Sequence, residues 1–513
     1  MKKILALVAF LFLGAHANAQ PFSPDYSTGW VKPRSGTNWL QLQDTVQVDA
    51  RSFASVFCNG TADDAPGLNA GLATLTNGGT VTLPGNCAFG STVNIPSGVK
   101  VTGGQFYKTP ALKPLAANVT LFNLSGNGAA LENVNIDATG KVYTSGFLIT
   151  VPNTVSNTYI NYVQINGGWS GISVQGVTNT VANVTITGSG LGTGAVGFLI
   201  PNGVNVFLFN DFVHGPASGT QPEAAVKITG GGGHILYNVQ GTYVGNGLEI
   251  MPSGGPVDWV WCDTCVMDND SGDGFHIVAS GASSYIAGAY FVNSWAGTNT
   301  GYGAYVEQDT SGTVNDVHFS TLRSMGNGQD GVYIAASNNV YVQNSSICGN
   351  SAAAAHTYNG ITALLSATNA VIENNLIGDC GHFSSANQNF GVSTAATKLI
   401  VQGNTFNSGN NGGTINIGTA PTNGMITNNL GIDDVTLTVA SAASISVGVS
   451  NTISLTGTAA VSTITPAWQG RKITIVPTGA SSVTTGGNIA NAVSFAANVP
   501  HVATFSGTTW FVQ

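Results

Sequence analysis

One short phrase recurs along the chain at intervals of roughly 25–31 residues: a glycine, an apolar residue, a variable residue, another apolar residue. It reads Gly146-Phe-Leu-Ile, Gly171-Ile-Ser-Val, Gly197-Phe-Leu-Ile, Gly247-Leu-Glu-Ile, Gly274-Phe-His-Ile, Gly303-Ala-Tyr-Val and Gly331-Val-Tyr-Ile. Weaker copies follow at Gly360 and Gly391, and Ala225-Val-Lys-Ile fills the one wide gap. A second phrase sets an asparagine three residues before an apolar residue, as in Asn183/Ile186, Asn210/Val213, Asn344/Ile347 and Asn374/Ile377. Units repeating at such a period cannot bury an apolar face alone and must stack. Alternation within each phrase makes the units strands, with glycine and asparagine supplying the turns between them. The expected fold is all-β: a right-handed, single-stranded parallel β-helix whose like residues stack about 4.8 Å apart from coil to coil. Asparagines stacked at the corners would then hydrogen-bond along the axis.

Charged residues make up only 7% of the chain against roughly 25% in an average domain. With 14 Lys plus Arg against 23 Asp plus Glu there is no basic stripe, which argues against a nucleic-acid partner. The start has the pattern of a secretory leader over residues 1–19: Lys2 and Lys3, an apolar core from Ile4 to Leu13, and Ala17-Asn18-Ala19 before Gln20. That core is too short to span a bilayer, and no other segment is a candidate, so no membrane span is expected. The chain is read as secreted or held at the cell surface, with a virion protein that retains its apolar start as the alternative. Six cysteines in an exported chain favour disulfides. Cys58 with Cys87 and Cys348 with Cys380 are candidate pairs, whereas Cys262 and Cys265 could join only across a bend.

Four segments follow. After the leader, residues 20–50 are an irregular lead-in, 51–430 the β-helix and 436–513 a small C-terminal β module of short Val, Thr and Ser runs. Within the β-helix segment, Asp63 or Asp64 could N-cap a short helix bearing Leu68, Leu72 and Leu75, placed to plug the open end of the stack. The run from Asp63-Asp64 through Gly78-Gly79-Thr-Val-Thr-Leu-Pro84-Gly to Val93-Asn-Ile-Pro96-Ser-Gly98-Val-Lys-Val-Thr-Gly-Gly104 resembles the opening of pectate-lyase-superfamily β-helix proteins. That group includes polysaccharide lyases, galacturonase-related hydrolases and phage tailspikes. The resemblance implies a polysaccharide partner and, from the tailspike branch, a homotrimer. Phe57-Cys58-Asn59 stands where the group usually has Gly-Asp-Gly, and the Asn-Thr-Asp, Asp-Asp, Gly-His-Gly and Arg-Ile-Lys signatures of galacturonases are missing from the coils.

In each phrase the variable residue should point outward. Coil by coil it is Leu148, Ser173, Leu199, Lys227, Glu249, His276, Tyr305, Tyr333, Thr362 and Ser393, with Glu307 and Asp309 further along the Tyr305 strand. Five consecutive coils therefore carry Lys, Glu, His, Tyr and Tyr in a chain poor in charge. A glycoside hydrolase needs two carboxyl groups, and Glu249 as acid with Glu307 as base would have Cα atoms about 12 Å apart in an ideal stack. Glu307 with Asp309 is a second pair. A lyase needs a base and a cation beside a uronate carboxylate, roles open to Lys227, His276, Tyr305 or Arg323. Tyr305, Tyr333, Arg323 and Trp295 are candidate sugar contacts, and Trp259 and Trp261 must both point in or both point out. No organic cofactor is indicated. Asp268-Asn-Asp270-Ser-Gly-Asp273 could bring three carboxylates to a calcium ion, although Asn/Asp/Gly runs are also ordinary turns. The functional expectation is a polysaccharide-degrading hydrolase or lyase, the alternative a glycan-binding adhesin or tailspike-like receptor binder.

Overall fold

A computed structural model describes residues 47–103, 111–188, 194–253, 255–381, 388–433 and 435–513, together with the backbone of two short antiparallel strands, Trp30–Val31 and Leu40–Gln41. The leader over 1–19, most of the lead-in over 20–50, and Gly104 lie outside the described residues. Parallel pairing begins where Gln47–Asp49 joins Gly79–Leu83 and runs to Lys398–Gln402 on Asn423–Thr427. The architecture is the right-handed parallel β-helix, with strands of successive coils stacked in three columns.

The first column includes Ala224–Ile228, Asn246–Ile250, Phe275–Ala279, Ala304–Gln308 and the start of Val332–Gln343. The second includes Gly231–Tyr237, Pro256–Asp263, Tyr285–Val292, Thr313–Ser320 and, further along, Lys398–Gln402 and Asn423–Thr427. The third includes Val266–Asp268, Trp295–Gly297, Arg323–Met325 and Ser346–Cys348. Between the columns lies one apolar core: Phe275, Ile277, Val332 and Ile334 are fully buried, and the rings of Phe275, Phe291 and Phe319 follow one another at 4.8 and 5.0 Å.

The recurring glycine has a reason other than turning. A Cβ on Gly247, Gly274, Gly303, Gly331 or Gly360 would lie 2.5–2.8 Å from the carbonyl oxygen of the matching glycine one coil on. Only a residue without a side chain lets the coils approach this closely. Turning falls to a corner track in the left-handed region, which Asn and Asp tolerate better than most residues. Asn183, Asn210 and Asn238 have φ of 54°, 56° and 51°, and their amides relay hydrogen bonds along the axis, Asn238 to Asn210 at 3.0 Å and Asn210 to Asn183 at 3.4 Å.

Thr264 has the same left-handed turn (φ 54°), the bend that a bridge between Cys262 and Cys265 requires; their Cα atoms are 5.9 Å apart and the disulfide is formed. Cys58–Cys87 and Cys348–Cys380 are joined as well.

One outward position is corrected. Ile149, not Phe147, pairs with Ile172, so the place beside Ser173 falls to Thr150. Leu148 is instead fully buried and packs against the backbone at Gly168, where a Cβ would stand 2.7 Å from its Cδ1.

The helix near the start spans Ala65–Leu72, buries Leu68 and Leu72, and is tied to the next strands through Asn69, which donates to the Thr92 carbonyl and accepts from Asn94 N–H. Asp64 precedes it without capping it. Its buried carboxylate accepts from the N–H groups of Phe57, Cys58 and Ala88, while Asp63 accepts from Ala65 N–H. At the other end, Thr436–Ala440, Thr452–Thr456, Lys472–Pro477, His501–Phe505 and Trp510–Val512 form a five-stranded sheet, its first three strands parallel and the rest antiparallel. It has an apolar core of its own around Ile453, Leu455, Ile475 and Trp510. Among the described residues no helix is long and apolar enough to cross a membrane.

Candidate functional site

Register fixes the central ladder. Leu199, Lys227, Glu249, His276, Tyr305, Tyr333 and Thr362 pair in succession down the first column. Four of them also meet the residue three positions earlier, just before the phrase glycine. Asn246 donates to Glu249 Oε2 at 3.0 Å, His276 Nδ1 lies 2.8 Å from Asp273 Oδ2, Tyr302 stacks on Tyr305 at 5.2 Å, and Asn359 donates to Thr362 at 2.9 Å. Asp330 occupies the same place before Tyr333. Sequence reasoning named Asp273 only as a possible calcium ligand and missed the row it shares with Asn246, Tyr302, Asp330 and Asn359. Its signal was visible as a polar or aromatic residue preceding the glycine in five consecutive phrases.

No protein-family model matches the sequence, and no curated protein matches it. Among solved structures it is similar to tailspike protein 3 of bacteriophage CBA120, at 13% identity over 86% of this chain and 70% of that one, with a TM-score of 0.50. The A-module of the Azotobacter vinelandii mannuronan C-5 epimerase AlgE4 gives 14% identity over 74% of this chain and all of that one, with a TM-score of 0.46. This is a parallel β-helix fold. At such identities the likeness is one of architecture, and the chemistry of this β-helix has to be argued from its own side chains.

Lys227 sits between two carboxylates. Its Nζ is 2.6 Å from Glu249 Oε1 and also bonds Glu223. Burial alone would lower the lysine's pKa, but the hydrogen bonds and charges of Glu223 and Glu249 outweigh it and hold the pKa above the ordinary value. Lys227 therefore stays protonated. Glu249 is only 1% exposed and shared between Lys227 and Asn246, so it is an ion-pair member more than an available acid.

Beyond it, His276, Tyr305 and Tyr333 stack at 5.3 and 5.7 Å. Asp273 accepts from Tyr302 N–H with one oxygen and faces His276 Nδ1 with the other. This is a carboxylate orienting an imidazole and leaving Nε2 to act. Tyr305 donates to Glu307 Oε2 at 2.5 Å. Burial first, and then that bond to Glu307, push the phenol pKa well up, so Tyr305 holds its proton and can only give it. Asp330 is 2% exposed, and burial raises its carboxyl to about 6.

The remaining candidates lie elsewhere on the β-helix. Asp309 is exposed and structures its own turn, accepting from Ser311, Gly281 and Gly312 N–H, bonds that hold its pKa at about 2. Trp295 and Arg323 pair with each other in the third column, where they line a depression of about 470 Å³ apart from Tyr305 and Tyr333. Trp259 and Trp261 both point out, 58% and 39% exposed, but on the second column. There Trp261, Tyr290, His318 and Tyr341 stack at 5.7, 5.1 and 4.2 Å, spending their ring faces on one another.

Asp268, Asp270 and Asp273 do not converge. Asp268 accepts from Thr298, Asp270 is buried and accepts from Val244 N–H, and Asp273 faces His276. Among the described residues, three ligand-type atoms come within 4.8 Å of one another only at Cys58, Asp64 and Cys87, where the two sulfurs are joined.

Proposed function

We propose that this is an exported polysaccharide-cleaving protein that works by proton transfer on its first column, with elimination beside a uronate carboxyl as the reaction. The observation that carries the reading is the run Asp273–His276–Tyr305–Glu307, a base with its orienting carboxylate next to a protonated phenol with its acceptor. His276 Nε2 takes the proton from the carbon beside the carboxyl. The electron pair forms a carbon–carbon double bond, the glycosidic C–O bond breaks, and Tyr305 protonates the departing oxygen. Glu307 accepts the Tyr305 hydrogen bond at rest; after the step the proton taken by His276 passes to solvent and Tyr305 regains one from it. The Glu249 and Glu307 acid–base pair of a hydrolase is less well supported, because Glu249 is buried against Lys227.

A hydrolytic alternative uses Glu307 with Asp330, and the raised carboxyl pKa of Asp330 favours it. The two are separated by product. Incubation with polyuronates should give chains ending in an unsaturated, ultraviolet-absorbing uronate. His276→Asn and Tyr305→Phe should each lower kcat by 10²-fold or more, in the range typical for lost acid–base catalysts, with little change in Tm. Reducing ends without unsaturation would select hydrolysis, and glycan binding without any cleavage would select an adhesin.

A further inference from the structure

Three depressions run into one another along the second column and the seam with the C-terminal module. The first, about 390 Å³, is lined by Tyr285, Asn315, Asn338, Asn369 and Lys398 among others. The second, about 480 Å³, shares Asn369 and Lys398 and adds Asn423, Met425 and Gln469. The third, about 640 Å³, shares Met425 and Gln469 and adds Trp468, Arg471 and Lys472. The coils from Tyr285 to Asn423 alone give a length of about 24 Å.

No aspartate or glutamate lines any of the three, although acids outnumber bases 23 to 14 in the chain. Three cations do: Lys398, Arg471 and Lys472. Arg471 is 3% exposed, stacked at 4.2 Å on Trp468, and its guanidinium donates to the carbonyls of Gly448, Ser450 and Pro466. Its Nε has no partner, and among the described residues no carboxylate pairs with it. A buried charge without a counter-ion is costly, and an anion in the groove would offset that cost.

The amides point the same way. Asn369 donates to Asn339 and Asn339 to Asn315, while Asn338 accepts from Thr368. Among the described residues the Nδ2 groups of Asn315 and Asn338 have no acceptor, so the relay ends in free donors beside Tyr285 and Lys398.

We infer that this groove binds an extended acidic polysaccharide, its carboxylates met by the exposed Lys398 and Lys472, with the buried Arg471 adding positive potential from beneath, and its hydroxyls by the asparagine row. It is an anchoring site separate from the catalytic ladder of the first column. Two exposed cations and one buried one along the groove suit the sparse charge of a polyuronate; the dense phosphates of a nucleic acid would call for more.

The test uses full-length protein carrying His276→Asn, so that turnover cannot consume the probe. Binding of an oligogalacturonate and of its fully methyl-esterified form is compared by calorimetry. The acid should bind and the neutral ester should not, and added salt should weaken the complex. Lys398→Gln and Lys472→Gln, both at exposed positions, should each weaken it roughly three- to fivefold and together about tenfold, at unchanged Tm. Equal binding of acid and ester, no binding of the acid, or an unaltered double variant would overturn the assignment. So would tighter binding of an oligonucleotide of equal charge. Binding that follows the expected pattern in a protein that cleaves no polyuronate would keep the groove and remove the elimination reading.

Discussion

Asp330 shows how a single buried carboxyl ties the ladder to pH. Burial raises its pKa from 3.8 to about 6 in the folded chain. The folded state therefore holds this proton more tightly than the unfolded one. The stability it contributes is fully present below about pH 4 and is lost as pH rises through about 6. A shift of this size corresponds to roughly 2–3 kcal/mol. Asp330→Asn keeps an acceptor for Asn359 N–H and should abolish that dependence, which denaturant unfolding of both proteins at pH 4 and pH 7 would measure. A variant with the same pH 4-to-7 difference as the parent would contradict the assignment. Ionised Asp330 also adds negative charge near Tyr302 and Tyr333, so the affinity of the ladder for a polyanion should decline over the same range, read as a rising KM.

At the scale of the strand and its turn, what was legible in the sequence depended on how tightly the backbone constrains each position. The glycines from Gly247 to Gly360 mark register faithfully because a Cβ there would strike the next coil. Gly331→Ala should accordingly cost about 1–3 kcal/mol by overpacking, since the new carbon would stand 2.5 Å from Ile347 Cγ2 and 2.7 Å from Gly360 O. Gly140→Ala, with nothing within 4 Å, should be nearly neutral, and thermal melts of the two variants check the contrast. Gly146 imitates the phrase without sharing its register, which is why Leu148 was misplaced. Alternation tells inside from outside but not which column a strand joins. Hence Trp295 and Arg323 could be read as outward residues, yet not as distant from Tyr305. The row from Asn246 to Asn359 went unread because residues before a glycine look like turn material. What reveals their role is contact with the ladder three residues on.

Over the whole molecule, the leader and the trimer expected from the sequence remain testable together. Exported protein should begin at Gln20 by mass spectrometry and give three times the chain mass by light scattering. An intact Met1 would favour the virion alternative, and a single-chain mass would remove the trimer. Glu223, Glu249, Asp273, Glu307 and Asp330 gather on the first column around Lys227, while the charged residues that line the groove are the cations Lys398, Arg471 and Lys472. On a chain of net charge −9 the groove is a local patch of the opposite sign. Approaching a layer of negatively charged polymer, the molecule would be caught at that patch first, before any specific contact forms. Held there, it would stay attached to the matrix while its ladder released and took up successive stretches of chain.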